Sequence, residues 1–90
     1  MMKNNRISSY RKKIDRLDDQ LVDIIVERFA LTLQIGELKK KNNLRITDTS
    51  REEEILNRIT ERINSRLNPN EIKEIFHLIF QISKKLQKKK

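Results

Sequence analysis

The sequence contains no cysteine and no tryptophan, and it has a single glycine, a single proline and a single histidine, His77. Without cysteine there is no disulfide framework and no cysteine-bearing metal site, and one histidine cannot form a histidine cluster. We therefore expect no bound metal and interpret His77 as a surface residue. The scarcity of glycine and proline, together with 38% charged residues, is typical of long helices and not of strands joined by turns.

Long hydrophobic runs are also lacking. The first residues, "MMKNNRISSYRKK", contain no apolar signal region, and no apolar segment approaches the length of a membrane span. We expect a cytoplasmic protein that does not bind a membrane. With 90 residues the chain has room for one domain, residues 1–90, whose core is too small to make a monomer more than marginally stable.

Positive charge is abundant, with a formal net charge of +8. A charge of this size predicts anionic partners, because it attracts them over long range. Nucleic acid, a membrane surface and a small polyanionic metabolite would all be attracted, and the tail "KKLQKKK" suits any of them. The simplest interpretation of the tail is a solvated helix end whose lysines favour the negative pole of the helix dipole.

The apolar pattern predicts an all-α fold of three helices separated by two short breaks. The first helix runs from about Arg6 to Lys41, and Gly36 inside it costs roughly 1 kcal/mol and often marks close packing. The second begins at a capping box built on Thr49 or Ser50. Its apolar face comprises Ile55, Leu56, Ile59 and Ile63.

The third helix is expected to open at "NPNE", where Asn68 can cap and Pro69 suits the first turn. Its predicted apolar face comprises Ile72, Ile75, Phe76, Ile79, Phe80 and Leu86. We expect residues 1–5 and 88–90 to fray.

The first helix carries one seam of residues spaced by three and four positions. The seam comprises Ile7, Tyr10, Ile14, Leu17, Leu21, Ile24, Arg28, Leu31, Ile35 and Leu38. A helix of this length spans about 54 Å, whereas a compact chain of this size has a radius of gyration of only ~12 Å. Its protruding half needs cover from a second chain, so we expect an intertwined helical homodimer.

Arg28 interrupts the seam with a permanent charge, whose burial without a partner costs several kcal/mol. Lys39 lies ~16 Å further along the axis and about 20° from alignment with Arg28, so the two could bracket a small anion. Arg11 lies ~25 Å before Arg28, too far to share that anion unless an antiparallel partner helix supplies it. The alternatives are a buried salt bridge for Arg28 and surface positions for Arg11 and Lys39.

Polar residues occupy two positions where the stripe of Phe76 and Phe80 predicts apolar ones. These are Ser83 and Gln87, which are one helical turn apart. A buried glutamine needs hydrogen-bond partners, so the pair either satisfies neighbouring backbone or faces a polar cavity.

Charged residues cluster at the start of the second helix, where Asp48, Arg51 and Glu52 are most simply caps and dipole partners. Together with the cationic side chains and the amide of Gln87 described above, these three residues would form one site. That site contains no evident pair of nucleophile and base. Such a site suits a doubly charged organic acid whose reaction needs charge stabilisation and a held conformation.

Over nearly its full length the chain resembles the all-helical, type II chorismate mutase family. The matching stretches are "RKKIDRLDDQLVDIIVERFALTLQIGELK" from Arg11, "DTSREEEIL" from Asp48 and "LNPNEIKEIFHLIFQISKKLQ" ending at Gln87. The resemblance implies an intertwined dimer that rearranges chorismate to prephenate without a cofactor, in the biosynthesis of aromatic amino acids. Thr32 stands where the family often has a small residue, so we expect altered packing beside the site.

The resemblance also implies roles for the candidate residues. Arg28 and Arg11 of the partner subunit would each hold a substrate carboxylate, because a guanidinium pairs with a carboxylate through two bonds. Lys39 and Gln87 would donate hydrogen bonds to the ether oxygen, on which negative charge develops. Glu52 would accept a hydrogen bond from the ring hydroxyl. Supporting contacts would come from Asp48, Arg51 and Ser83.

Two other functions compete with this interpretation. The isochorismate pyruvate lyases resemble the same fold, but the lyases are poorer in the motif formed by Asp48, Arg51 and Glu52. A basic helical dimer that binds nucleic acid would explain the charge. It would not explain an arginine in the seam, and aromatic residues for stacking on bases are few. We therefore expect a small-molecule substrate and no nucleic acid, with docking to another aromatic-pathway enzyme as a further partnership.

Overall fold

The computed structural model describes residues 5–88 and contains three α-helices. They are α1, Asn5–Lys41; α2, Thr49–Ile63; and α3, Pro69–Lys88. The described residues include no strand, so the all-α prediction is confirmed. Asn5 and Lys88, which we expected to fray, are helical, and the rest of the predicted frayed ends lies outside the described residues.

Helix α1 ends through its own backbone geometry and not at a proline. Its last turn carries Lys39, Lys40 and Lys41, whose charges favour the negative pole of the helix dipole. Asn43 then adopts a left-handed conformation with φ of 57°, which asparagine tolerates better than most residues. The Leu44 amide donates to the Lys39 carbonyl at 2.7 Å, so the chain turns back beside the helix end.

The N-cap of α2 agrees with one of the two sequence predictions, a cap at Asp48, and not with the capping box. The side chain of Asp48 accepts a hydrogen bond from the Arg51 amide at 3.0 Å, which makes Asp48 the N-cap. The predicted capping box on Thr49 or Ser50 is therefore wrong. The carboxylate of Asp48, one residue before Thr49, satisfies the Arg51 amide and lies at the positive pole of the helix, where a negative charge is favoured.

The predicted start of α3 is confirmed. Asn68 precedes the helix, and its side-chain oxygen accepts from the Asn70 amide at 2.9 Å. Pro69 occupies the first helical position, where its missing amide hydrogen costs nothing.

The chain divides between Leu31 and Thr32 into two compact units. In the second unit α2 packs against α3, and Ile55, Ile63 and Phe80 form the buried apolar core. The Phe76 and Phe80 rings meet edge to face with centroids 6.2 Å apart. Ile75 departs from the predicted apolar face of α3, because it is 55% exposed.

The first unit contains no buried residue between positions 5 and 31, and Ile25, Arg28 and Phe29 are half-buried. Every apolar member of the seam is exposed in the single chain, with exposed fractions between 49% and 61%. These side chains are Ile7, Tyr10, Ile14, Leu17, Leu21, Ile24, Leu31, Ile35 and Leu38. The homodimer that would cover them stays a prediction. Among residues 5–88, no helix is long and apolar enough to cross a membrane.

Candidate functional site

The second unit contains an open cleft of about 490 Å³ near the ends of α1 and α3. Lys39 and Gln87 line this cleft together, and the other lining residues are Gly36, Lys40, Asn43, Leu44, Ile46 and Lys88. Small-molecule sites commonly have volumes of roughly 300–1,000 Å³. The cleft therefore has the size and the positive charge to hold a small anion.

Lys39 is held at the wall of the cleft by a backbone carbonyl. Its side chain is half-buried, and Nζ donates a hydrogen bond to the Ile46 carbonyl oxygen at 2.8 Å. An ammonium group has three donors, so this contact leaves further donors for a ligand. The contact fixes the position of the charge at the wall of the cleft.

Gln87 of α3 lies against Gly36, the one glycine of α1. Gly36 is buried, and a Cβ atom placed on it would lie 2.9 Å from Cα and 3.0 Å from Cγ of Gln87. Real Cβ atoms do not approach other atoms this closely, so only glycine permits the contact. Oε1 of Gln87 is buried and accepts no hydrogen bond from any described residue. The predicted close packing at Gly36 is confirmed.

Two further polar residues of the second unit are buried. Ser83, one turn before Gln87 in α3, is 8% exposed, as is Thr32 in α1. Ser83 therefore lies inside the unit, as its place in the stripe of Phe76 and Phe80 predicts. Thr32 is buried to the same extent, and the altered packing expected beside the site stays a prediction.

The start of α2 presents two ion pairs that differ in burial. Glu52 Oε2 lies 3.1 Å from Lys84 Nζ of α3, with side-chain exposures of 24% and 33% respectively. Arg51 pairs with Glu54 at 3.0 Å, and both side chains are exposed. The Asp48 carboxylate serves as the helix cap. The capping role that the sequence indicated for this cluster is thus present, and the ion pairs with Glu54 and Lys84 are additions that the sequence did not indicate.

Arg11 and Arg28 belong to the first unit. Arg11 is exposed and Arg28 is half-buried, so their contacts with a ligand stay predictions. His77 is exposed, as predicted, and its ring meets the Phe80 ring edge to face. Within residues 5–88, no cluster of three or more His, Cys, Asp or Glu side chains could hold a metal ion.

Comparison with known proteins gives one consistent result. A sequence model of the family described as chorismate mutase type II matches residues 10–88. A chorismate mutase from Methanocaldococcus jannaschii is 31% identical over 84 residues, which cover 92% of this chain and 85% of that protein. A bifunctional chorismate mutase/prephenate dehydratase from Buchnera aphidicola is 37% identical over 90 residues.

The length of the match differs between these relatives. This chain spans 23% of the bifunctional protein from Buchnera aphidicola, so it corresponds to about a quarter of that enzyme. A solved structure of a conserved hypothetical protein from Pyrococcus furiosus has a similar fold, with a TM-score of 0.78 and 34% identity. The similarity covers 93% of this chain and 97% of that one.

Proposed function

The chain belongs to the chorismate mutase type II family, and from this premise we propose that it catalyses the Claisen rearrangement of chorismate to prephenate. The family prediction made from the sequence is confirmed. The observation that carries the proposed activity is the cleft that Lys39 and Gln87 line together. Their side chains are hydrogen-bond donors of the kind that this reaction requires.

The reaction itself limits what the protein has to supply. In the rearrangement the ether bond of chorismate breaks while a carbon–carbon bond forms within the same molecule. No nucleophile, proton transfer or cofactor is needed, but the substrate must be held in a compact conformation. Negative charge also develops on the ether oxygen. Orientation and electrostatic stabilisation are therefore the two contributions that lower the barrier.

Lys39 supplies the first donor to the ether oxygen. Its Nζ is already fixed by the Ile46 carbonyl at 2.8 Å, so little reorganisation is needed when the transition state forms. The attraction grows as charge accumulates on the oxygen. An interaction that is stronger in the transition state than in the ground state raises turnover and does not merely tighten binding.

Gln87 supplies the second donor through its side-chain amide. Its Oε1 is buried without a hydrogen-bond partner in the described chain, a state that costs about 1–3 kcal/mol. The donor to the ether oxygen is Nε2, because Oε1 can only accept hydrogen bonds. The tight contact with Gly36 fixes the backbone of Gln87 and hence the origin of the side chain.

Glu52 accepts a hydrogen bond from the ring hydroxyl of the substrate. Its half-buried carboxylate is held by Lys84 and is therefore less mobile than a surface glutamate. Ser83, Arg51 and Asp48 contribute supporting contacts, which for Asp48 include capping the helix that carries Glu52. A single substrate hydroxyl thus meets an acceptor whose helix and side chain are both fixed.

The two arginines hold the carboxylates of chorismate across a dimer. Arg28 binds one carboxylate, and Arg11 of the partner subunit binds the other, each through its two-pronged guanidinium. The exposed apolar seam supports this arrangement, because an antiparallel second copy would cover it and form two equivalent sites. The net charge of +8 attracts the chorismate dianion toward both sites.

The product and its fate follow from the same assignment. The bifunctional relative joins chorismate mutase to prephenate dehydratase, so we expect an enzyme of that type to consume the product and to be the partner that docks on this chain. The chemistry of aromatic amino acid biosynthesis agrees with the cytoplasmic location expected from the sequence.

The test is an assay of purified protein with chorismate, in which substrate loss is followed and the product identified by mass spectrometry. Prephenate is the expected product. Lys39→Ala protein purified in the same way serves as the control for a contaminating host enzyme. Release of pyruvate from isochorismate would favour the lyase, whereas no turnover with tight, strongly salt-dependent binding of nucleic acid would favour a nucleic-acid-binding dimer.

A further inference from the structure

We propose that Lys84 is a positioning residue for Glu52, an inference that rests on the proposed function. Its basis is the ion pair between Lys84 Nζ of α3 and Glu52 Oε2 of α2 at 3.1 Å. Lys84 does not belong to the residues that the family resemblance assigns to the substrate. It acts on the reaction through the carboxylate that it holds.

Burial separates this ion pair from an ordinary surface pair. The Lys84 and Glu52 side chains are 33% and 24% exposed, whereas those of Arg51 and Glu54 in the same part of the chain are 59% and 69% exposed. Exposed pairs contribute little, because water and salt screen them and the long side chains stay mobile. A pair shielded on most of its surface is screened less and restricts both side chains.

The geometry of a carboxylate explains how this restriction helps. Glu52 has two acceptor oxygens, and Lys84 engages Oε2. Oε1 can then accept from the substrate hydroxyl with the side chain already in place. Lys84 also follows the buried Ser83 and precedes Gln87 by one turn of α3, so the contact connects Glu52 of α2 to the helix that carries Gln87.

The experiment is a double-mutant cycle on chorismate turnover. Lys84→Met removes the charge and keeps the length of the side chain, and Lys84→Arg keeps the charge. Both are compared with Glu52→Gln and with the double variant Glu52→Gln/Lys84→Met. Lys85→Met is the matched control, because it removes one lysine charge from the next, exposed position of α3. Circular dichroism melting accompanies every variant, with Lys84→Gln as the replacement if Lys84→Met does not fold.

Lys84→Met should lower kcat/KM about tenfold, within the range of coupling measured between residues in contact. Lys84→Arg should restore turnover to within about twofold, and Lys85→Met should stay within about twofold of the original chain. In the Glu52→Gln background the loss of Lys84 should cost less than about twofold, because the carboxylate that it positions is gone.

Equal losses in both backgrounds would overturn the proposal, since Lys84 would then act independently of Glu52. An equal loss of turnover in Lys85→Met would show that the loss comes from the lower net charge, and it would overturn the proposal as well. These outcomes leave the proposed function intact, because the unmodified chain would still convert chorismate. A folded unmodified chain without chorismate turnover would instead contradict the proposed function, and the role of Lys84 with it.

Discussion

The two units of this chain differ in how they bury their apolar side chains. Between residues 5 and 31 the apolar side chains follow a regular seam along α1, and none of the described ones is buried. From Thr32 onward, Ile55, Ile63 and Phe80 are covered by elements of the same unit. The comparison indicates that the second unit forms its own small core, whereas the apolar side chains of the first are exposed in the single chain, and their burial in a homodimer stays a prediction.

The candidate site residues divide along the same boundary. Lys39, Glu52 and Gln87 lie in the second unit and have defined neighbours there, whereas Arg11 and Arg28 lie in the first. The backbone hydrogen bonds of a long helix hold the helix together. They do not determine what a cationic side chain on its surface binds. This leads us to expect that the second unit forms the reactive part of the site and that the first forms the dimer.

The largest effect is expected from Leu21→Asp in the seam. Leu21 is 53% exposed in the single chain, so a monomer would lose little more than helix propensity, under about 1 kcal/mol. In a dimer the aspartate would be an unpaired buried charge and cost several kcal/mol. We expect dissociation or unfolding in sedimentation velocity and circular dichroism. Gln20→Asp, at an exposed polar position, is the control, and a fully active Leu21→Asp dimer would contradict the role of the seam.

Lys39→Ala probes the reactive part of the second unit. Removing a donor to a developing oxyanion typically lowers turnover by about 10² to 10³. The loss should fall mainly on kcat, because the charge that Lys39 meets exists only in the transition state. Lys41→Ala removes the same charge from an exposed position two residues away and should change kcat little. Near-normal turnover of Lys39→Ala would show that its assigned role is wrong.

A mixing experiment tests whether the first unit completes the site across the dimer. Chains carrying Arg11→Ala are unfolded with equal amounts of chains carrying Arg28→Ala and refolded together. Unbiased pairing makes roughly half of the dimers mixed, and each mixed dimer contains one site with both arginines. Activity should rise to roughly a quarter of that of the unmodified protein. If mass spectrometry confirmed the mixed dimers and they were inactive, Arg11 would not act across the interface.

The smallest effect is expected from Gly36→Ala, within the second unit. Alanine would favour the helix by about 1 kcal/mol, but its Cβ would lie 2.9 Å from the Gln87 Cα. Overpacking of this kind costs about 1–3 kcal/mol, so we expect a net loss of stability and a displaced Gln87 with reduced turnover. Gln34→Ala, at an exposed position of α1, is the control in thermal melts. A more stable and equally active Gly36→Ala chain would show that the contact is not tight.

The helices, the seam and the family could be predicted from the sequence. Helical periodicity depends on residues three and four positions apart, so the seam and the apolar face of α2 could be identified locally. The cap at Asn68 was equally local and was predicted correctly. The cap of α2 was left open between Asp48 and a capping box on Thr49 or Ser50, because all three are suitable capping residues and only the backbone path selects among them.

The tertiary structure alone decided the contacts between residues that are distant in the chain. The pairing of Lys84 with Glu52 and the choice of Gln87 as the neighbour of Gly36 give no signal in composition or spacing. The same holds for the hydrogen bond from Lys39 to the Ile46 carbonyl, although these two residues are closer in the sequence. Lys84 resembles its neighbouring lysines in sequence. It differs from them because the packing of α2 against α3 brings one carboxylate within reach and shields the pair from water.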